Sequence, residues 1–157
     1  MWKSVLPTIG IGNKGGSSSK GIGEGMIQRV GHIGILVKEI EKTLPKFTEA
    51  LGLPAPSIKD VPERRMKVAV VSLGNLDLEF IEDYSEDGAF SKMVREHGNT
   101  IHHFALITDQ IEEDISLLIG RGVKMMDSVP KVGLRGKKIA FLAPEFLGGI
   151  SIELSEP

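Results

Sequence analysis

At 157 residues, with 41% apolar and 25% charged side chains, the chain has the size of one domain or of two small modules packed together. Its 19 Lys and Arg against 21 Asp and Glu leave a formal net charge of -2, which provides no basic footprint for nucleic acid. Cysteine is absent, so disulfides, thiolate metal ligands and a cysteine nucleophile are excluded. No apolar run approaches the roughly 20 residues of a membrane helix. The stretch Met1–Pro7 is too short and too weakly apolar for a secretory signal, and the expected setting is cytoplasmic.

Seven of the 19 glycines fall within the first 29 residues, and Gly15–Gly21 reads as linker. Residues 1–27 are therefore expected to be a flexible Gly/Ser-rich arm. Gly10, Gly12 and Gly15 match a dinucleotide-binding string, but that fingerprint needs a strand before it and a helix after it. Here Pro7 precedes and a Gly/Ser tract follows, so the match is set aside.

The rest of the chain repeats itself. The segment from His32 to Glu41 overlies the segment from His103 to Glu112. Each starts with His, alternates for the length of a strand, passes a charged turn and enters a helical pattern. Ile40, Leu44, Phe47 and Leu51 mark the first helix, ending at Gly52, where a left-handed C-cap is cheap. Ile111, Ile115, Leu118 and Ile119 mark the second, ending near Gly120 and Gly122. Pro45 is compatible with the first helix only within its opening turn. Further strands are expected at Lys67–Leu73 in the first copy, and at Met125–Ser128 and Lys138–Leu142 in the second. Each copy closes alike, Gly74–Phe80 matching Gly148–Leu154, and Phe90–Gly98 reads as a helix-to-turn segment between them. The pattern gives α+β modules of βαβββ type over residues 28–98 and 99–157. Packed together, they would place both helices on the apolar face of the sheet.

Side chains on a strand alternate faces. His32 and Gly34 oppose Ile33, Ile35 and Val37, while Asp77 and Glu79 oppose Leu76, Leu78 and Phe80. His103 and Ala105 oppose Phe104 and Leu106, while Ser151 and Glu153 oppose Ile150, Ile152 and Leu154. One face is thus apolar and the other gathers His32, Glu79, His103 and Glu153. Taken singly, each has a commoner explanation as a core histidine or a solvated carboxylate. Recurrence of His and Glu at matched places in both copies favours instead a divalent metal site of two imidazoles and two carboxylates. Co, Ni, Zn, Mn and Fe all suit that donor set. By alternation His102 points to the apolar side, and His97 is expected to be exposed.

Gly31–Val37, Gly74–Glu79, Ile101–Ala105, Arg135–Leu142 with Pro144, and Gly148–Leu154 together resemble the vicinal oxygen chelate superfamily. Within it they resemble the methylmalonyl-CoA epimerases most. The likeness runs over residues 28–157. It implies paired βαβββ modules forming a cupped mixed sheet with helices on the outer face, one divalent ion held by His32, Glu79, His103 and Glu153, and a homodimer. It also implies a small-molecule substrate such as an acyl-CoA. The implied chemistry removes a proton beside a metal-bound carbonyl through an enediolate, with Glu153 as a base. Two departures stand out. No carboxylate occupies Met66–Ala69, where some epimerases carry one, and Glu145 follows Pro144 where a lysine is common. Arg135, Lys137 and Lys138 read either as anion contacts or as an ordinary solvated hairpin.

A glyoxalase I-like lyase is the related enzymatic alternative. An extradiol dioxygenase would keep open the position that Glu79 fills. A non-catalytic binder of the same fold would not need the four donors.

Overall fold

The computed structural model describes residues 27–157. The arm assigned to residues 1–27 lies outside the described residues except for Ile27, as does the glycine string at 10–15. The strands are β1 (Arg29–Leu36), β2 (Lys59–Val61), β3 (Met66–Ser72), β4 (Asp77–Asp83), β5 (Thr100–Ile107), β6 (Lys131–Val132), β7 (Lys138–Phe141) and β8 (Ile152–Ser155). The helices are α1 (Ile40–Leu51), α2 (Ala89–His97) and α3 (Ile111–Gly120), with short 3-10 turns at Pro62–Arg64 and Pro144–Leu147.

All eight strands form one mixed sheet in the order β2-β3-β4-β1-β5-β8-β7-β6. The order is symmetric about its centre. In each half the first strand lies parallel to the last, β1 with β4 and β5 with β8, and the remaining strands pair antiparallel. The halves join where β1 runs antiparallel to β5. The sheet curls far enough that Arg64, beside β2, donates to the Val132 carbonyl on β6 at 2.7 Å.

The outer face is apolar, as alternation predicts. Under α1, Ile40 and Leu44 pack with Ala69, Val71, Leu78 and Phe80. Under α3, Ile111 and Ile115 pack with Ala140, Leu142 and Leu154. Each of the Ile, Leu, Val and Phe side chains contributes about 1.5–3 kcal/mol on leaving water. The third helix differs. Phe90, Met93 and Val94 of α2 pack with Leu36, Val68 and Ile81. By register Ile81 shares its face with Glu79, so α2 covers one end of the inner face. Among the described residues no helix is long and apolar enough to cross a membrane.

Three local expectations are corrected. Pro45 lies in the second turn of α1, not the first. The helix continues because Ile40, Leu44 and Thr48 are buried against the sheet, which outweighs the one backbone bond the ring cannot make. Met125–Ser128 forms no strand but an isolated bridge from Met125 to Leu142, and the edge strand is β6 instead. His102, expected on the apolar side, stands at a β-bulge. Gly34 pairs with His103 but Ile35 with Ile101, so His102 is the extra residue and alternation breaks there. Gly52 does take the left-handed cap, with φ 63°.

Candidate functional site

The sequence-predicted residues come together in one row. Glu79 on β4, His32 on β1, His103 on β5 and Glu153 on β8 occupy four adjacent central strands. Each half supplies one imidazole and one carboxylate. All four are buried, between 2% and 4% exposed. They form part of the wall of a cavity of about 550 Å³ on the inner face.

Two local devices bring the imidazoles to the same point. Bulges precede both histidines, at Gly31 before His32 and at His102 before His103, and re-aim the strand locally. Gly34, the strand neighbour of His103, leaves room for its ring: a Cβ there would lie 2.0 Å from His103 Cε1. In the second half Ala105, fully buried, stands opposite His32. At Gly34 the small residue is thus required by ring placement rather than by backbone conformation.

His32 Nε2 and His103 Nε2 stand 3.2 Å apart. His32 Nε2 lies 3.6 Å from Glu79 Oε2 and 3.5 Å from Glu153 Oε1, while His103 Nε2 lies 3.7 Å from Glu153 Oε2. One donor atom each of His32, His103 and Glu153 fall within 4.8 Å of one another. Glu79 approaches the group through His32. Two donors about 2.1 Å from one ion, at right angles, lie about 3.0 Å apart. The imidazole spacing therefore matches a shared cation.

Electrostatics agree with the geometry. Burial lowers His32 to about 4 and His103 to about 3, so both rings are neutral and offer lone pairs at neutral pH. Burial also raises Glu79 to about 7 and Glu153 to about 8, the latter further through the charge of Glu79. Glu153 Oε1 is the one buried side-chain nitrogen or oxygen without a hydrogen-bond partner among the described residues. An orphaned carboxyl oxygen beside two neutral imidazoles fits a divalent cation.

His102 lies half-buried on the cavity side. Its ring centroid is 4.6 Å from that of Phe90, and its Nδ1 is 2.9 Å from His103 Nδ1. Strand parity missed it, and the adjacent His-His pair was the available signal. His97 is exposed at the end of α2, as expected. Of the basic hairpin residues, Arg135 and Lys137 line the cavity, whereas Lys138 pairs with Glu112 on α3 at 2.6 Å. β3 carries no carboxylate, and Val68 is buried there.

Duplicated βαβββ halves, joined through their first strands and lending matched donors to one inner face, are the build of vicinal oxygen chelate proteins. The chain belongs to the glyoxalase/bleomycin resistance protein/dioxygenase superfamily, whose family model matches residues 31–141. It is 32% identical over 131 residues to the uncharacterized protein YqjC of Bacillus subtilis (strain 168), spanning 83% of this chain and 94% of that one. It is 24% identical over 155 residues to mitochondrial methylmalonyl-CoA epimerase of Dictyostelium discoideum, spanning 98% and 92% of the two chains. Among solved structures, a Streptomyces coelicolor methylmalonyl-CoA epimerase variant in complex with 2-nitronate-propionyl-CoA is similar with a TM-score of 0.75. That match is 25% identical and covers 83% of this chain and 94% of the other.

Proposed function

We propose that the protein is a metal-dependent epimerase acting beside the carbonyl of a small acyl thioester, in the manner of methylmalonyl-CoA epimerase. The observation that carries this reading is the buried Glu79–His32–His103–Glu153 row beneath a cavity of about 550 Å³. Relatives named methylmalonyl-CoA epimerase, one of them in complex with an acyl-CoA, support the choice of reaction. In this reading the modules 28–98 and 99–157 each lend one imidazole and one carboxylate to a single divalent ion. Co, Ni, Zn, Mn and Fe all remain compatible with the donors.

When bound, the ion supplies positive charge that polarises a carbonyl and acidifies the carbon next to it. The chain does the rest. His32 and His103, neutral because they are buried, hold their lone pairs toward the common point. Glu153 keeps an oxygen free of protein partners, and burial raises its affinity for a proton. The Glu153 carboxylate takes the proton from the acidified carbon. The apolar wall that Phe90 and Phe141 give the cavity keeps water from that carbon.

A second copy of the chain is part of the proposal. Ile101 and Phe104 on β5 remain 58% and 38% exposed on the outer face, between the parts of the sheet covered by α1 and α3. A homodimer would bury them.

The decisive assay is incorporation of deuterium at C2 of methylmalonyl-CoA in heavy water. Exchange accompanied by loss of optical purity is the expected result. Absence of exchange, with turnover of a methylglyoxal–thiol adduct instead, would move the protein to the lyases of glyoxalase I type.

A further inference from the structure

The loop joining β6 to β7 leaves its own half and lies over the other. Leu134 packs in the cluster of Leu36, Val61 and Ile81. Next to it, an Arg135 Nη atom donates to Asp77 Oδ2 at 2.8 Å, across 58 residues of sequence. Asp77 is the strand partner of His32 and, two residues from Glu79, lies on the same face of β4. The guanidinium is thus tied to the strand partner of His32, at the wall of the cavity.

Of the other cations nearby, Lys137 and Arg29 also line the cavity, and three more have partners of their own. Lys131 pairs with Asp127 at 2.9 Å, Lys138 with Glu112, and Arg64 with the Val132 carbonyl. Arg135 spends one donor on Asp77, while a guanidinium has five in a planar fork that suits a carboxylate. Its side chain stays 37% exposed.

We propose that Arg135, steadied by Asp77, is a specificity-determining residue that receives a carboxylate borne on the reacting carbon of the substrate. This rests on the epimerase reading and narrows it to 2-carboxyacyl thioesters. A hemithioacetal brings no such charge. The phosphates of a nucleotide carrier are the other source of anions. They are disfavoured because Arg135 is tied beside the row where the reacting carbon must sit.

Binding, rather than turnover, tests this. Full-length metal-loaded protein is titrated calorimetrically with methylmalonyl-pantetheine and with isobutyryl-pantetheine, in which a methyl replaces the carboxylate. Wild type should prefer the former. Arg135→Gln should lose that preference on the order of 10- to 100-fold, with isobutyryl-pantetheine binding and metal content unchanged, and Arg135→Lys should retain part of it. The double variant Asp77→Asn/Arg135→Gln removes the unpaired carboxylate and keeps the test valid if Arg135→Gln alone folds poorly. An undiminished preference in these variants overturns the proposal, as does a wild type with no preference. A loss seen only with the full CoA esters assigns Arg135 to the carrier phosphates and also overturns it. A wild-type preference that Arg135→Gln loses, in a protein that fails to exchange C2 deuterium, would uphold Arg135 and defeat the epimerase reading.

Discussion

His32 and His103 are 71 positions apart in sequence, yet their Nε2 atoms meet 3.2 Å from each other across the β1–β5 pairing. Neither half of the chain can make this contact alone. If the pair serves a cation, protein purified without chelator should carry roughly one divalent ion per chain. Added Co(II) or Ni(II) should then raise the melting temperature of stripped protein. His103→Ala should abolish both effects while remaining folded, and wholesale unfolding would instead mark His103 as a core residue.

The four buried groups also set a pH response. Without the ion, Glu79 near 7 and Glu153 near 8 hold protons that the unfolded chain releases near 4.5. Near pH 4.5 to 6.5 the lowered His32 and His103 act oppositely, because there the unfolded imidazoles take up protons that the folded ones refuse. The two effects offset in that window. Above about 6.5 only the carboxyls differ, the folded state binds more protons, and stability falls as pH rises through about 8. Melting of stripped protein should therefore drop over that interval. Saturating metal should remove the drop, since the bound state requires ionised carboxylates. A stripped protein that grows more stable there would contradict the buried-carboxyl arrangement.

Gly34→Ala separates ring placement from backbone strain. The new methyl would meet the imidazole of His103 at 2.0–2.7 Å. Gly34 is not among the glycines with positive φ, so the backbone itself tolerates alanine. We expect a stability loss of about 1–3 kcal/mol and weakened metal binding. Adding His103→Ala should restore stability but not the metal, measured by denaturant melts and elemental analysis.

His102 should act on the metal through its neighbour. When His103 offers Nε2 as a lone pair, its Nδ1 carries the proton and donates to His102 Nδ1 at 2.9 Å. His102→Ala should reduce metal affinity about 10- to 100-fold, and His102→Asn, which keeps an acceptor, should recover part of it. Equal affinities in competition with a chelator would remove His102 from the site.

The donor row was legible in the sequence because strands alternate and the chain is duplicated. His32, Glu79, His103 and Glu153 obey one parity in two copies, which no single strand could have established. Parity failed at His102, where a bulge adds a residue that only the pairing partner reveals. Phe90–Gly98 was legible as a helix-to-turn segment, but not as one that would cover the inner face. Asp77 was placed correctly beside Glu79 by alternation. Its partner Arg135 was not, because the loop carrying it crosses from the other half, and sequence periodicity carries no record of such a crossing. The short β6 likewise escaped notice, since two residues are too few to show a period.

The bond from Arg64 to the Val132 carbonyl has a bearing on solubility. An open sheet exposes the outermost strand at either margin, and such margins template assembly between molecules. Here the marginal strands are only three and two residues long and carry Lys59, Asp60 and Lys131. Arg64 also caps one of their carbonyls. By bending its margins toward each other, the chain blunts the sites at which fibrillar growth would otherwise begin.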